Sequence, residues 1–161
     1  MHASIAPTVQ LFGITSFLYD KALEGLDQKA LLARPAEFTN PIVWIAGHLA
    51  YSRTALARTL GVSRDLPWPE LFARGTAAVA PEAYPDIALI RAAWTLASAN
   101  LMARYEELTE EELAAPAPRS LPIADKSIRG GISFAAFHES YHVGQMAYIR
   151  KWLGFPGLVD V

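Results

Sequence analysis

Between residues 6 and 32 the apolar side chains Leu11, Ile14, Leu18, Ala22 and Leu26 recur at three- and four-residue spacing, with Phe17 and Leu23 beside them. That spacing predicts one face of a first helix, because residues three and four apart share a side of an α-helical turn. The pattern breaks over residues 31–39, where Pro35 predicts a short connection. A second helix is then predicted from Asn40, a good N-cap, and Pro41, which fits a first helical position that needs no backbone donor. It runs to Gly61, a C-terminal stop, and carries Trp44, His48, Tyr51 and Ala55 on one face.

Residues 61–85 hold Pro67, Pro69, Pro81, Pro85 and Gly75 and keep no period, so they form a long connection with at most a short turn near residues 69–73. Asp86 caps a predicted third helix, with Ile87, Ile90, Ala93 or Trp94, Leu101 and Tyr105 facing inward before an acidic end. A second long, proline-rich connection covers residues 113–131. The fourth helix is predicted to start at Gly131 or Ser133 and to stop at Gly154, followed by Pro156.

Four such helices of roughly 20 residues, each about 30 Å long, predict an all-α fold, a four-helix bundle with one elongated core. Two of the three connections are long enough to run the length of the bundle, so neighbouring helices need not alternate in direction. At 161 residues and 52% hydrophobic content the chain has the size of one domain, residues 1–161, with one core.

A net charge of −2 and the lack of any run of five or more like charges give no electrostatic basis for a nucleic-acid partner. There is no cysteine, so no disulfide, thiolate metal site or cysteine nucleophile can form, which suits a reducing cytoplasm. The amino-terminal stretch lacks the basic region of a secretory signal, and no uninterrupted apolar run is long enough to predict a membrane span.

Against this background the chemistry concentrates in the last helix, where His138 and His142 stand one turn apart and leave the same face. Together with Glu139 they match the short HExxH pattern of zinc peptidases, in which the glutamate is a general base. The match stops there. No His or Glu follows His142, Asp160 is the only acidic residue, and Gln145 and Tyr148 occupy the Gly and final His positions of the extended motif.

A third ligand is available from the second helix. In antiparallel helices His48 comes to the height of His142, and in parallel helices to that of His138, so height leaves the topology open. Three neutral nitrogens on one side of a cation would leave positions for water or substrate. Spacing alone leaves two readings, a three-His site or a core histidine beside a surface pair.

The second-helix segment TNPIVWIAGHLAY and the fourth-helix segment FHESYHVGQMAYIRKWLG, joined by connections carrying LFARG and LPIADKSIRGG, resemble the DinB-like family of bacterial metal-binding proteins. The resemblance spans most of the chain. It implies a four-helix bundle of up-down-down-up order, a homodimer, and a divalent metal (Zn, Ni, Fe or Mn) held by His48, His138 and His142. It also implies a metal-dependent transferase or isomerase acting on small molecules with a low-molecular-weight thiol such as bacillithiol or mycothiol as cosubstrate. A non-catalytic, stress-associated metal-binding dimer and a metal-dependent hydrolase are the alternatives.

The remaining polar residues have simpler expected roles. His2 belongs to neither histidine-bearing helix and is expected to be a mobile terminal residue. Glu139, about 100° round the helix from His138, faces a neighbouring helix or solvent, with a general-base role as the alternative. Gln145 is placed to orient a bound water or a helix partner, with a packing or capping role as the alternative. Trp44, Tyr51, Tyr141 and Tyr148 are expected to line core and pocket, and Asp125 with Arg129 to form a loop ion pair or cap.

Overall fold

Start and stop signals in the sequence divide the chain into more pieces than its periodicity suggests. The computed structural model describes residues 1–63, 65–76 and 79–159. Among them are seven α-helices: α1 Ala6–Leu23, α2 Gln28–Leu32, α3 Ile42–Thr59, α4 Pro69–Phe72, α5 Ile87–Glu107, α6 Glu110–Ala114 and α7 Ile128–Trp152. A 3-10 turn at Pro81–Ala83 completes the set, and the described residues contain no β-strand. No described helix is long and apolar enough to cross a membrane.

The first predicted helix is two helices. Gly25 sits at φ +73°, a left-handed conformation that ends α1. The Asp27 side chain then accepts from the Ala30 N–H at 2.8 Å and caps α2. The predicted inner face of α1 is also turned. Ile5, Val9, Phe12, Tyr19 and Ala22 are buried, whereas Leu11, Ile14 and Phe17 are exposed. The helix is apolar round more than one stripe, so its period cannot choose between them. Tertiary partners make the choice: Tyr19 stacks on Trp94 with ring centroids 4.2 Å apart, and Phe12 on Tyr105 at 5.7 Å.

Helix α3 starts one residue later than predicted. Pro41 is its N-cap position and no side chain caps it, so Asn40 stands outside. Every residue from Ile42 to Ala50 is buried, because this end of the helix is packed by α2, α4, α5 and α7. The Asp86 cap on α5 is as predicted, accepting from the Ala88 N–H at 2.7 Å, and the acidic end becomes α6, started by a Thr109–Glu112 capping box.

Helix α7 begins at Ile128, before the predicted start, with Ser127 accepting from the Gly130 N–H at 3.2 Å. The Gly130-Gly131 pair is a packing feature rather than a helix boundary. A Cβ on Gly130 would lie 2.3 Å from the Asp125 carbonyl oxygen, so the preceding loop can fold back on the first turn only over a glycine.

The interior consists of two apolar clusters. One gathers Tyr19, Leu49, Trp94 and Met146, the other Phe12, Ala57, Leu101, Tyr105 and Ile132. Along each long helix the residue between the two clusters is polar: Thr15, Arg53, Ser98 and Glu139. Arg53 Nε donates to Glu139 Oε1 at 2.8 Å, and its second guanidinium nitrogen pairs with the other carboxylate oxygen. Thr15 donates to Glu139 at 2.9 Å, while Arg53 donates to Ser16 at 2.8 Å and to Ser98 at 2.6 Å. The guanidinium also lies 3.5 Å from the Trp94 ring centroid.

Candidate metal centre

The buried part of α3 carries His48 among small neighbours, and one of these controls what approaches it. A Cβ on Gly47 would come within 2.3 Å of the Phe72 ring, so only glycine lets α4 lie against α3. That approach brings the Phe72 carbonyl oxygen to 2.7 Å from His48 Nδ1. A carbonyl can only accept, so Nδ1 carries the hydrogen and Nε2 presents a lone pair. Trp44, one turn earlier, stacks on the imidazole with centroids 4.8 Å apart and planes within 7°, and its Nε1 donates to the Leu71 carbonyl at 3.0 Å.

Helix α7 supplies the other two rings. His138 Nε2 lies 3.1 Å from His48 Nε2, and one nitrogen from each of His48, His138 and His142 can be chosen so that all lie within 4.8 Å of one another. His142 Nδ1 donates to Gln145 Oε1 at 2.7 Å, and the Gln145 amide nitrogen donates to the Tyr141 hydroxyl at 3.3 Å. His142 therefore also keeps its Nε2 lone pair free.

The donor set fits a divalent cation. Two nitrogens each bound at about 2.0–2.1 Å in a tetrahedral site stand about 3.3 Å apart, close to the His48–His138 separation. The protonation states agree. Burial lowers the His138 pKa to about 4, helped by the charges of His142, His48 and Arg74. Burial, then the charge of His48, lowers His142 to about 4 against the raising effect of Gln145. Burial lowers His48 too, against its Phe72 hydrogen bond. Neutral imidazoles are the form that binds metal. The three histidines are the cluster of metal-binding groups found among the described residues, and no carboxylate joins it.

Glu139 faces a neighbouring helix, the first of its two expected positions, and its carboxylate is taken up by Arg53 and Thr15 away from the histidines. Gln145 holds a histidine rather than a helix partner. Trp44 is buried and Tyr51 half-buried, while Tyr141 and Tyr148 are mostly exposed and border a cleft of about 420 Å3 with Gln145. Asp125 and Arg129 do not pair: Asp125 accepts from the Ser127 N–H at 2.9 Å and Arg129 donates to Glu110 at 2.6 Å. His2 lies 3.3 Å from Glu110 and 2.8 Å from the Ser4 hydroxyl, away from the other three histidines. Asp160 lies outside the described residues.

A cleft of about 340 Å3 includes both His48 and His138 in its wall, along with Tyr51, Phe134, Arg74 and Arg119. A larger one, about 610 Å3, borders Asp20, Gly25 and Arg91 and contains none of the histidines, so size is a poor guide to the chemistry here. Sequence reasoning overlooked Arg53, Arg74 and Arg119. Arg53 alone left a signal, an arginine between Leu49, Ala50, Leu56 and Ala57 on an otherwise apolar stretch.

An all-α chain with three converging neutral imidazoles defines a helical protein with a candidate site for one divalent metal. The chain belongs to the DinB superfamily, whose model matches residues 18–146 and so covers all three histidines. A comparison with curated proteins finds no match.

Proposed function

We propose that the protein is a metal-dependent enzyme of small-molecule metabolism, a transferase or isomerase that uses a low-molecular-weight thiol of the bacillithiol or mycothiol type. The observation that carries this reading is the convergence of His48, His138 and His142, with two Nδ1 hydrogens tied to oxygen acceptors and a cleft along one side. A divalent cation held there would lower the pKa of a bound thiol and present it as a thiolate to an electrophile. The chain's own part is to fix the imidazoles: Phe72 and Gln145 set their tautomers, and Trp44 shields His48 from water. The absence of cysteine fits a thiol that arrives with the cosubstrate, and such thiols are kept reduced in the cytoplasm.

The up-down-down-up order of the four long helices is supported by their cross-contacts. Thr15 meets Glu139 and Ala22 meets Arg150, a parallel pairing of α1 and α7. Arg53 meets Ser98 and Leu60 meets Arg104, a parallel pairing of α3 and α5, while Tyr19–Trp94 and Phe12–Tyr105 run antiparallel. A homodimer is supported by the exposed apolar side chains Phe137, Tyr141, Tyr148 and Trp152 along one face of α7.

The test is cobalt substitution. The protein should take up one cobalt ion per chain, and a small thiol should add a sulfur-to-metal band to its spectrum. Full cobalt retention in His48→Ala would overturn the three-His site, and a thiol-insensitive spectrum would overturn the thiol chemistry. The non-catalytic and hydrolase alternatives would then stand.

A further inference from the structure

The cleft of about 340 Å3 beside the histidines has a charge pattern of its own. Arg74 reaches it from the segment after α4, and Arg119 from the connection between α6 and α7. No aspartate or glutamate is among its described lining residues. Neither arginine makes an ion pair among the described residues. Two separate segments thus bring like charges to one cavity with no counter-charge among its described lining residues.

A cleft lined by one sign of charge concentrates ligands of the other sign, and a guanidinium matches a carboxylate with two parallel donors. Tyr51 and Phe134 add flat apolar surface to the same wall. The volume falls near the lower end of small-molecule sites, which run from about 300 to 1,000 Å3. The combination matches a small, flat, apolar body with an acidic end.

We infer that this cleft takes an anionic small molecule, a carboxylate on an aromatic or apolar body, with the carboxylate held by Arg74 and Arg119 and the opposite end directed at His48 and His138. The second half of the assignment rests on the three-His reading above; the anion preference does not. It narrows the substrate or cosubstrate class to carboxylates and gives the two arginines a specificity role.

Two binding measurements test it, and neither needs turnover. With cobalt-substituted protein, para-mercaptomethylbenzoate should bind about tenfold or more tightly than its methyl ester. Arg74→Gln and Arg119→Gln should each weaken the acid severalfold, leave the ester unchanged, and retain one cobalt per chain. With metal-free protein, benzoate should perturb the NMR signals of the same cleft and benzyl alcohol should not.

Equal affinity for acid and ester, or an acid affinity unmoved in both variants, would overturn the inference while leaving cobalt binding intact. Failure of the metal reading gives a different result: no cobalt uptake, with arginine-dependent benzoate binding preserved.

Discussion

Glu139 directly follows His138, yet its carboxylate leaves α7 about 100° round from that imidazole and meets Arg53 in the interior, where each side chain is 2% exposed. A motif that reads as catalytic is thus divided between two faces of one helix, His138 toward the cleft and Glu139 into the core. Arg53 in turn lies five residues beyond His48 on α3. The ion pair ties together the two helices that present the imidazoles, and it fixes their register.

Replacing Arg53 by Met is expected to cost about 3–5 kcal/mol, because it strands a buried carboxylate. Replacing Arg53 and Glu139 together by apolar residues of similar volume should restore most of that loss. Urea unfolding of the single and double variants measures both. A double variant that loses the sum of the two single losses would show that the pair is not coupled.

Gly47→Ala is expected to destabilise the fold by about 1–3 kcal/mol, since its Cβ would meet a buried aromatic ring rather than a flexible chain end. The ring belongs to Phe72, whose carbonyl holds His48. The same variant should therefore weaken metal binding, which a competition titration against a chelator would detect. Unchanged metal affinity would show that the Phe72 hydrogen bond is dispensable.

Gln145→Leu keeps most of the side-chain bulk but removes the acceptor for His142 Nδ1. Metal affinity should fall by about 10–100-fold, the usual cost of losing a hydrogen bond that orients a ligand. Thermal stability of the metal-free protein should change little, because Gln145 is only half-buried.

The metal-free protein should lose stability as the pH falls from about 6.5 to about 4. Folded-state pKa values near 4 for His138 and His142 lie below the ordinary 6.5, so across that window the unfolded chain binds protons that the folded chain does not. Stability is then complete above the upper bound and levels off, for these groups, below the lower one. Unfolding midpoints at about pH 7 and about pH 5 would show the loss, and a His138→Gln, His142→Gln double variant should flatten it.

Helix type and the histidine positions were readable because each rests on local information. Asp86 caps, Gly61 and Gly154 stop, and His138 and His142 sit one turn apart whatever surrounds them. The inward face of α1 was not readable, since Leu11, Ile14 and Phe17 are as apolar as Val9 and Phe12, and only Trp94 and Tyr105 decide between them. The start of α7 was misplaced because Gly130 reads as a breaker until the Asp125 carbonyl is seen against it. The arginines of the cleft were invisible for the same reason: Arg74 and Arg119 lie in connections without periodicity, 45 residues apart, and only the fold brings them together.

His48 and His138 are separated by 90 residues of chain. An ion held by both would act as a cross-link, closing a loop that contains α4, α5 and α6. By the loop-entropy model a closure of that size restricts the unfolded chain by about 4–5 kcal/mol. Metal loading then adds to mechanical integrity: a break in the backbone between α4 and α5 would leave two fragments fastened through their histidines as well as through the shared core, and a chelator would remove the first of these ties.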